Sequence, residues 1–362
     1  MKTENILSHF KIDGKLVSIK HNNEGHINTT FMSTFDDNGK IAKYTHQKIN
    51  KFAFKNPENV MHNIVSITEH IQSKIKDLND RDKRCLQVVF TNEGLPYHKD
   101  NQGEYYRTYR FIDDVKTYSK VVSANTAFYL GQGIATFQKQ LNDFDGNTLS
   151  ETIPDFHNMH SRYKKLKDAI EKDEFKRVDK VQSEIEYLLK NEERGCLIWN
   201  DMIHSKVPVH VTHNDTKINN VLFNEDGTEA LCVIDLDTVM PGTILFDTGD
   251  MIRTATSTLE EDAENYQEMR CNIDYFRSLI EGYLSIASSY LTDREKDLIV
   301  ESGRNITQIM AVRFLTDYLD GDVYYSIEKK DHNRDRCRTQ IAFMKNYDEM
   351  WEELTKIVNS YK

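Results

Sequence analysis

No Cys-x-x-Cys pair occurs in this chain. Its five cysteines, Cys85, Cys196, Cys232, Cys271 and Cys337, are scattered and odd in number. That excludes an evident disulfide framework or zinc site and points to reduced, cytoplasmic chemistry. No apolar run approaches the length needed to span a bilayer. The opening MKTENILSHFKIDGK is polar and has no apolar core of signal-peptide length. A basic surplus is also missing: the formal net charge is −11. A general nucleic-acid binder needs a basic face to displace counterions, so nucleic acid is not an expected partner. A locally cationic nucleotide site remains open. There is no internal repeat and no low-complexity linker. What remains is a globular chain of 362 residues, long enough for about two domains with a core each.

The first part, residues 1–112, reads as mostly β with one helix. Lys15–Ile19 predicts a strand, Asp37-Asn38-Gly39 a turn and Ile41–Ile49 the next strand. Pro57-Glu58-Asn59 opens a helix in which Val60, Ile64, Ile67 and Ile71 recur at helical spacing. Leu86–Phe90 and Tyr105–Ile112 complete a small mixed lobe. From 113 to 362 helices dominate. Ala127–Leu141 predicts one; Val178, Val181, Ile185 and Leu188 share a face of another. Thr292-Asp293-Arg294-Glu295 is a capping box, expected to start a long helix reaching Tyr318. Thr339–Val358 reads as the last helix.

The richest stretch runs from His213 to Asp237, HNDTKINNVLFNEDGTEALCVIDLD. Asp215 and Asn220 stand five residues apart in a polar loop. Val221–Phe223 predicts a strand, Asp226-Gly227 a turn, and Cys232–Ile234 a returning strand that ends at Asp235. Pairing the strands about that turn sets Asn220 opposite Asp235. Three side-chain oxygens are then gathered at one end of a ribbon, as a nucleotide–magnesium site requires. Phosphoryl transfer to a hydroxyl needs a carboxylate that takes its proton, here Asp215, and hard oxygen ligands for the ion, here Asn220 and Asp235. A helix cap and turn cluster is the plainer reading of Asp215 and Asn220; the hairpin and Ile234-Asp235 that follow favour the chemical one. Asp237 points the same way as Asp235 by strand alternation. It is a second ligand, an acceptor behind the first, or a turn residue before Pro241-Gly242.

Other candidates are less specific. In Phe246-Asp247-Thr248-Gly249-Asp250-x-x-Arg253 at least one carboxylate is expected to cap a helix or pair with Arg253. Backbone N–H groups around Gly25, Asn28 and Thr29 can cradle phosphates, although a single glycine is not the G-x-G-x-x-G pattern. Gln47 and Lys48 end the Ile41 strand near the place where a phosphate-binding basic residue is expected. Lys48 reads equally well as a solvated edge residue. Arg313, Asp317, Asp320, Asp322 and Tyr324 form a polar cluster with aromatics beyond the Thr292 helix, able to line a sugar-sized site or simply to be a solvated helix end.

The blocks GHINTTF (25–31), Gln47-Lys48-Ile49-Asn50, HVTHNDTKINN (210–220), VIDLDTVMPG (233–242), LFDTGDMIR (245–253), RFLTDYLDGDVYY (313–325) and RTQI (338–341) resemble the aminoglycoside/choline kinase-like phosphotransferase family over nearly the whole chain. Within it they are most similar to the N-acetylhexosamine 1-kinase branch. The resemblance implies an α+β, protein-kinase-like bilobal fold with a β-rich N-terminal lobe and a helical C-terminal lobe. It implies ATP and Mg2+ as cofactors, with Asp215 as base and Asn220 and Asp235 on the metal. Gly25, Asn28, Thr29, Gln47 and Lys48 fall in the nucleotide region, and the backbone at Phe111, Ile112 and Asp113 would hold adenine. Asn214, Arg313 and Tyr324 would face the acceptor, GlcNAc or GalNAc, phosphorylated on its anomeric hydroxyl. The strand lysine of protein kinases has no clear counterpart.

Other readings keep the fold and change the acceptor to an amino alcohol or aminoglycoside, or remove catalysis and leave a nucleotide-binding pseudokinase. A metal-dependent hydrolase built on His213 and the aspartates lacks the compact His/carboxylate spacing of such sites.

Overall fold

The computed structural model describes residues 3–22 and 27–362. They divide into two compact units. One comprises residues up to 116 together with 143–154 and 222–241; the other comprises 117–142, 155–221 and 242–362.

The first unit is built on a five-stranded antiparallel sheet. In spatial order its strands are Lys15–Asn22, Thr29–Asp37, Lys40–Lys48, Tyr105–Arg110 and His98–Lys99. The turn expected at Asp37–Gly39 is present. Asp37 pairs with Lys40, and Asn38 and Gly39 take φ of 55° and 91°, the left-handed pair that a two-residue hairpin demands. Phe31 and Phe35 alternate onto the buried face, where Leu7 and Tyr44 join them. His46 sits among them between the Ser33 and Thr108 hydroxyls, at 2.7 and 2.8 Å; burial pushes its pKa down to about 3.

Leu86–Phe90 does not form the expected strand. Its backbone serves two neighbours in turn: Val89 N–H donates to the Thr108 carbonyl, and the Phe90 carbonyl accepts from Lys11. Only isolated bridges result, Val88 to Tyr109 and Phe10 to Thr91. The helix Pro57–Ile75 starts on an Asn56 cap and buries Val60, Ile64, Ile67 and Ile71 as its spacing requires. Its buried Asn63 donates to the Ser150 and Val239 carbonyls and accepts from Ser150 N–H. One side chain thereby ties two sequence-distant stretches to this unit. A small sheet orders Val115–Lys116, Val221–Asn224 and Ala230–Val233.

The second unit is helical. Its centre is Ile299–Leu319, buried nearly all round, as a helix inside a core must be. Its polar residues are internally paired: Arg304 reaches Asp348, Gln308 and Asn191, and Asn305 reaches the Gly195 carbonyl. The Thr292 capping box forms, but the helix it starts ends at Asp297 and the long one begins at Ile299. The last expected helix is likewise two, His332–Glu349 and Trp351–Asn359. Val178 lies in a separate short turn before the helix Gln182–Lys190. All five cysteines are free. Among the described residues, no helix is long and apolar enough to cross a membrane.

Candidate active site

In the helical unit the loop after the strand His210–Thr212 is held from behind by Asp247. This residue lies in the first turn of the helix Ile244–Thr256. Its carboxylate accepts the backbone N–H groups of His213 and Asn214 at 3.0 and 2.7 Å, and its carbonyl accepts the Thr216 hydroxyl at 2.6 Å. Burial, only partly offset by His213 and these N–H donors, raises its pKa. Asn214 takes φ of 68°, a left-handed conformation that Asn tolerates better than most residues. The carboxylate hidden behind the loop thus sets the backbone from which Asp215 projects.

Asp215 and Asn220 are brought together. The Asn220 amide donates to the Asp215 carbonyl at 2.8 Å and to its Oδ2 at 2.9 Å. Both donated bonds leave from Nδ2, so Oδ1 is turned to the opposite side of the amide and is of the hard-oxygen kind that magnesium takes. Lys217 Nζ lies 3.1 Å from Asp215 Oδ2, a cation beside the proposed base that the motif reading did not single out.

Arg313 and Tyr324 are also neighbours, the guanidinium 5.7 Å from the ring centre. The Phe156 and Tyr325 rings flank the same guanidinium at 4.9 and 5.4 Å. Among the described residues, Arg313 forms no ion pair with a carboxylate; its donated bond goes to the Met310 sulfur. A second guanidinium, Arg162, is pinned to the Phe156 carbonyl and held down to about 10 by burial and by Arg313. The ring of His157 packs on Phe156 and on Phe246, the residue before Asp247. A chain of contacts therefore links the Arg313 cluster to the helix that anchors the Asp215 loop. Tyr324 is placed by Asp317, whose carboxylate accepts the backbone N–H groups of Val323, Tyr324 and Tyr325 and the Asn333 amide, at 2.8–3.0 Å.

In the sheet-bearing unit Asp235 follows the strand Ala230–Val233. It takes φ of 61°, which ends the strand before Ile234 rather than at Asp235 itself. Asp237 is not exposed in a turn. It is buried, accepting Arg107 Nη1 at Oδ1 and the Asn28 amide at 2.6 Å. Arg107 also donates twice to Gln47 Oε1, at 2.9 and 2.7 Å. Burial works against the Arg107 charge, but Asp237 and, more weakly, Asp235 hold its pKa above the ordinary arginine value. This buried cation was missed in the sequence. The signal lay in YYRTYR (105–110): an arginine within an aromatic strand has to find a carboxylate.

Of the remaining candidates, Asn28 also accepts Asn50 N–H. Thr29 and Lys48 line a cleft of about 350 Å³ with Asn50, Lys51 and Glu104; Lys48 stands 3.4 Å from Glu104 and is substantially exposed. Phe111 N–H donates to the Lys43 carbonyl, Ile112 is buried, and Asp113 pairs with Lys43 at 2.5 Å. Gly25 lies outside the described residues. Among the described residues, no group of three or more His, Cys, Asp or Glu is placed to hold a metal ion.

A family model described as the phosphotransferase enzyme family matches residues 82–279. The chain belongs to this family. Solved structures share its fold almost end to end. The aminoglycoside phosphotransferase from Alicyclobacillus acidocaldarius subsp. acidocaldarius DSM 446 is 10% identical, with a TM-score of 0.61 over 99% of this chain and 97% of that one. The microcompartment-associated aminopropanol kinase is 11% identical, with a TM-score of 0.58 over 97% of each chain. A spectinomycin phosphotransferase, solved with ADP and spectinomycin, is 12% identical, with a TM-score of 0.50 over 99% of this chain and 96% of that one. At these identities the likeness is one of fold, the protein-kinase-like α+β fold expected from the sequence. Family membership makes the protein a phosphotransferase.

Proposed function

We propose that this phosphotransferase is an ATP- and magnesium-dependent kinase that phosphorylates the anomeric hydroxyl of an N-acetylhexosamine, GlcNAc or GalNAc. The observation that carries the acceptor class is Arg313, a guanidinium between aromatic rings that, among the described residues, has no carboxylate to neutralise it. Its donors suit neutral oxygen acceptors, such as an acetamido carbonyl or ring oxygens, and its charge repels the ammonium of an amino alcohol or aminoglycoside. Tyr324 offers a ring face to the apolar side of a sugar, and Asn214, whose amide donates to the Thr212 carbonyl, is the polar residue of the Asp215 loop assigned to the acceptor.

Asp215 takes the acceptor proton. Lys217 stands beside that carboxylate as its counter-cation, and the Asn220 amide fixes its rotamer. An anomeric hydroxyl is more acidic than an ordinary alcohol, which suits a weak carboxylate base. Asn220 and Asp235 supply oxygens to magnesium, which when bound neutralises phosphate charge. Such an ion is commonly held by one or two carboxylates together with substrate phosphates, so no larger cluster of protein ligands is required. Gly25, Asn28, Thr29, Gln47 and Lys48 are assigned to the phosphates, and the Phe111–Asp113 backbone to the adenine. The ADP-bound spectinomycin phosphotransferase supports an adenine nucleotide as donor.

The test is ADP release with Mg-ATP over N-acetylhexosamines, free hexoses, choline, amino alcohols and aminoglycosides, with the phosphorylated carbon located by phosphorus NMR. Turnover of GlcNAc or GalNAc at carbon 1 is expected. Turnover of choline or an aminoglycoside alone would end the sugar assignment.

A further inference from the structure

Asp250 is a buried carboxylate that none of the assigned roles uses. It is 5% exposed, and among the described residues its Oδ2 has no hydrogen-bond partner. A buried carboxylate oxygen without a donor is unfavourable and calls for an explanation. Its neighbour Arg253 could satisfy both oxygens with a forked, two-oxygen pairing. Instead Nε and Nη2 both converge on Oδ1, at 3.2 and 2.9 Å, and Nη1 is committed to Glu261 at 2.9 Å. Each of the three guanidinium nitrogens is engaged elsewhere, and none donates to Oδ2.

The position of that oxygen is not arbitrary. Asp250 stands one turn beyond Asp247 on the helix Ile244–Thr256, so the two carboxylates share a face. Asp247 already fixes that face against the loop preceding Asp215. Burial raises the Asp250 pKa, and the Asp215 charge adds to the rise against the pull of Arg253, so Asp250 lies within electrostatic reach of Asp215. The helix cannot slide to close the gap. At Gly249 a side-chain carbon would collide with the Ser302 carbonyl of the Ile299–Leu319 helix, and this close backbone approach locks the register.

We infer that Asp250 Oδ2 accepts a hydrogen bond from a second donor group of the acceptor, a ring hydroxyl beside the one phosphorylated. The identity of that donor rests on the sugar reading proposed above; the role of Asp250 as a specificity-determining contact rests on its own geometry. A carboxylate committed to one donor position rejects acceptors that lack it, because the oxygen then stays buried and unpaired.

The experiment compares wild type with Asp250→Asn over N-acetylhexosamines and their single-deoxy analogues, measuring acceptor KM, ATP KM and kcat. Asp250→Asn should raise acceptor KM by about 10- to 100-fold, the usual range for a charged hydrogen bond to a substrate, and leave ATP KM within about twofold. One deoxy analogue should suffer the same loss on wild type and no further loss on the variant, the signature of a broken pair. An unchanged acceptor KM, or equal losses for acceptor and ATP, overturns the inference. The wild-type arm needs no variant to fold: if no single-deoxy analogue loses more than about twofold in kcat/KM, the inference also falls. If wild type uses only an amino alcohol, the sugar reading fails by itself. Asp250 is then judged on that acceptor by the same KM comparison, a raised KM supporting it and an unchanged one overturning it.

Discussion

The Arg107 guanidinium and the Asp237 carboxylate form an ion pair in which both side chains are almost wholly removed from water, 1% and 3% exposed. Asn28 and Gln47 complete their hydrogen bonding. Such a pair contributes little net stability relative to an apolar replacement, but breaking it from one side leaves a bare buried charge. Arg107→Met is therefore expected to cost about 3–5 kcal/mol of unfolding free energy. Replacing both partners, Arg107→Met with Asp237→Leu, should recover much of this. Urea unfolding of the two variants is the measurement, and a loss below about 1 kcal/mol for the single change would mean that the pair is not closed in solution.

Asp215 should behave as a base and not as a structural cap. Asp215→Asn keeps the shape of the side chain and its contact with Asn220, yet removes the proton acceptor. Turnover should fall by roughly 10²–10⁴-fold, the usual contribution of a positioned base, with ADP affinity by calorimetry retained. Asn220→Ala should instead shift the magnesium dependence of turnover. Wild-type turnover in the first variant removes Asp215 from the mechanism; an unaltered magnesium curve in the second removes Asn220 from the metal.

The parts of the molecule that could be read in advance are those decided by near neighbours. The Asn38-Gly39 turn was legible because its backbone demands left-handed conformations. The Pro57 helix was legible from the spacing of Val60, Ile64, Ile67 and Ile71. The Thr292 capping box correctly marks a helix start, but a cap carries no information on length, and the break at Leu298 was hidden. Asp215 and Asn220 were found together because five residues separate them. Arg107 and Asp237 are 130 residues apart, and Asp247 grips a loop more than thirty residues upstream; no local pattern announces either partnership. The Leu86–Phe90 strand failed for a related reason: its composition suits a ladder, but two different neighbours share its hydrogen bonds.

Asp317 gives the loop of Tyr324 and Tyr325 its shape through three backbone N–H groups. Asp317→Ala should leave those donors without their anchor while Arg313 stays on its own helix. The expected result is a rise in acceptor KM of about 10-fold or more, from losing charged hydrogen bonds that position a contact. ATP KM should be unchanged, and proteolysis between residues 320 and 327 faster. Equal proteolysis rates with an unchanged acceptor KM would show that the loop holds its shape without Asp317.

His46 predicts an acid sensitivity whose sign can be worked out. It is 1% exposed between Ser33 and Thr108, and burial lowers its folded pKa to about 3 from an ordinary value of 6.5. Between those two values the unfolded chain binds the proton and the folded one does not. Stability therefore falls as pH drops through 6.5 and continues to fall towards 3, at up to about 1.4 kcal/mol per pH unit from this group. Moving from pH 7 to pH 5 should cost about 2 kcal/mol. His46→Gln keeps a side chain able to bond both hydroxyls but has no such proton to gain. Its stability at pH 7 is expected to be lower, through imperfect packing, while its pH 7 to pH 5 loss is smaller than that of wild type by about the same 2 kcal/mol. Urea midpoints measured at the two pH values decide the matter: parallel losses in the two proteins would mean that His46 accepts its proton without unfolding the sheet around it.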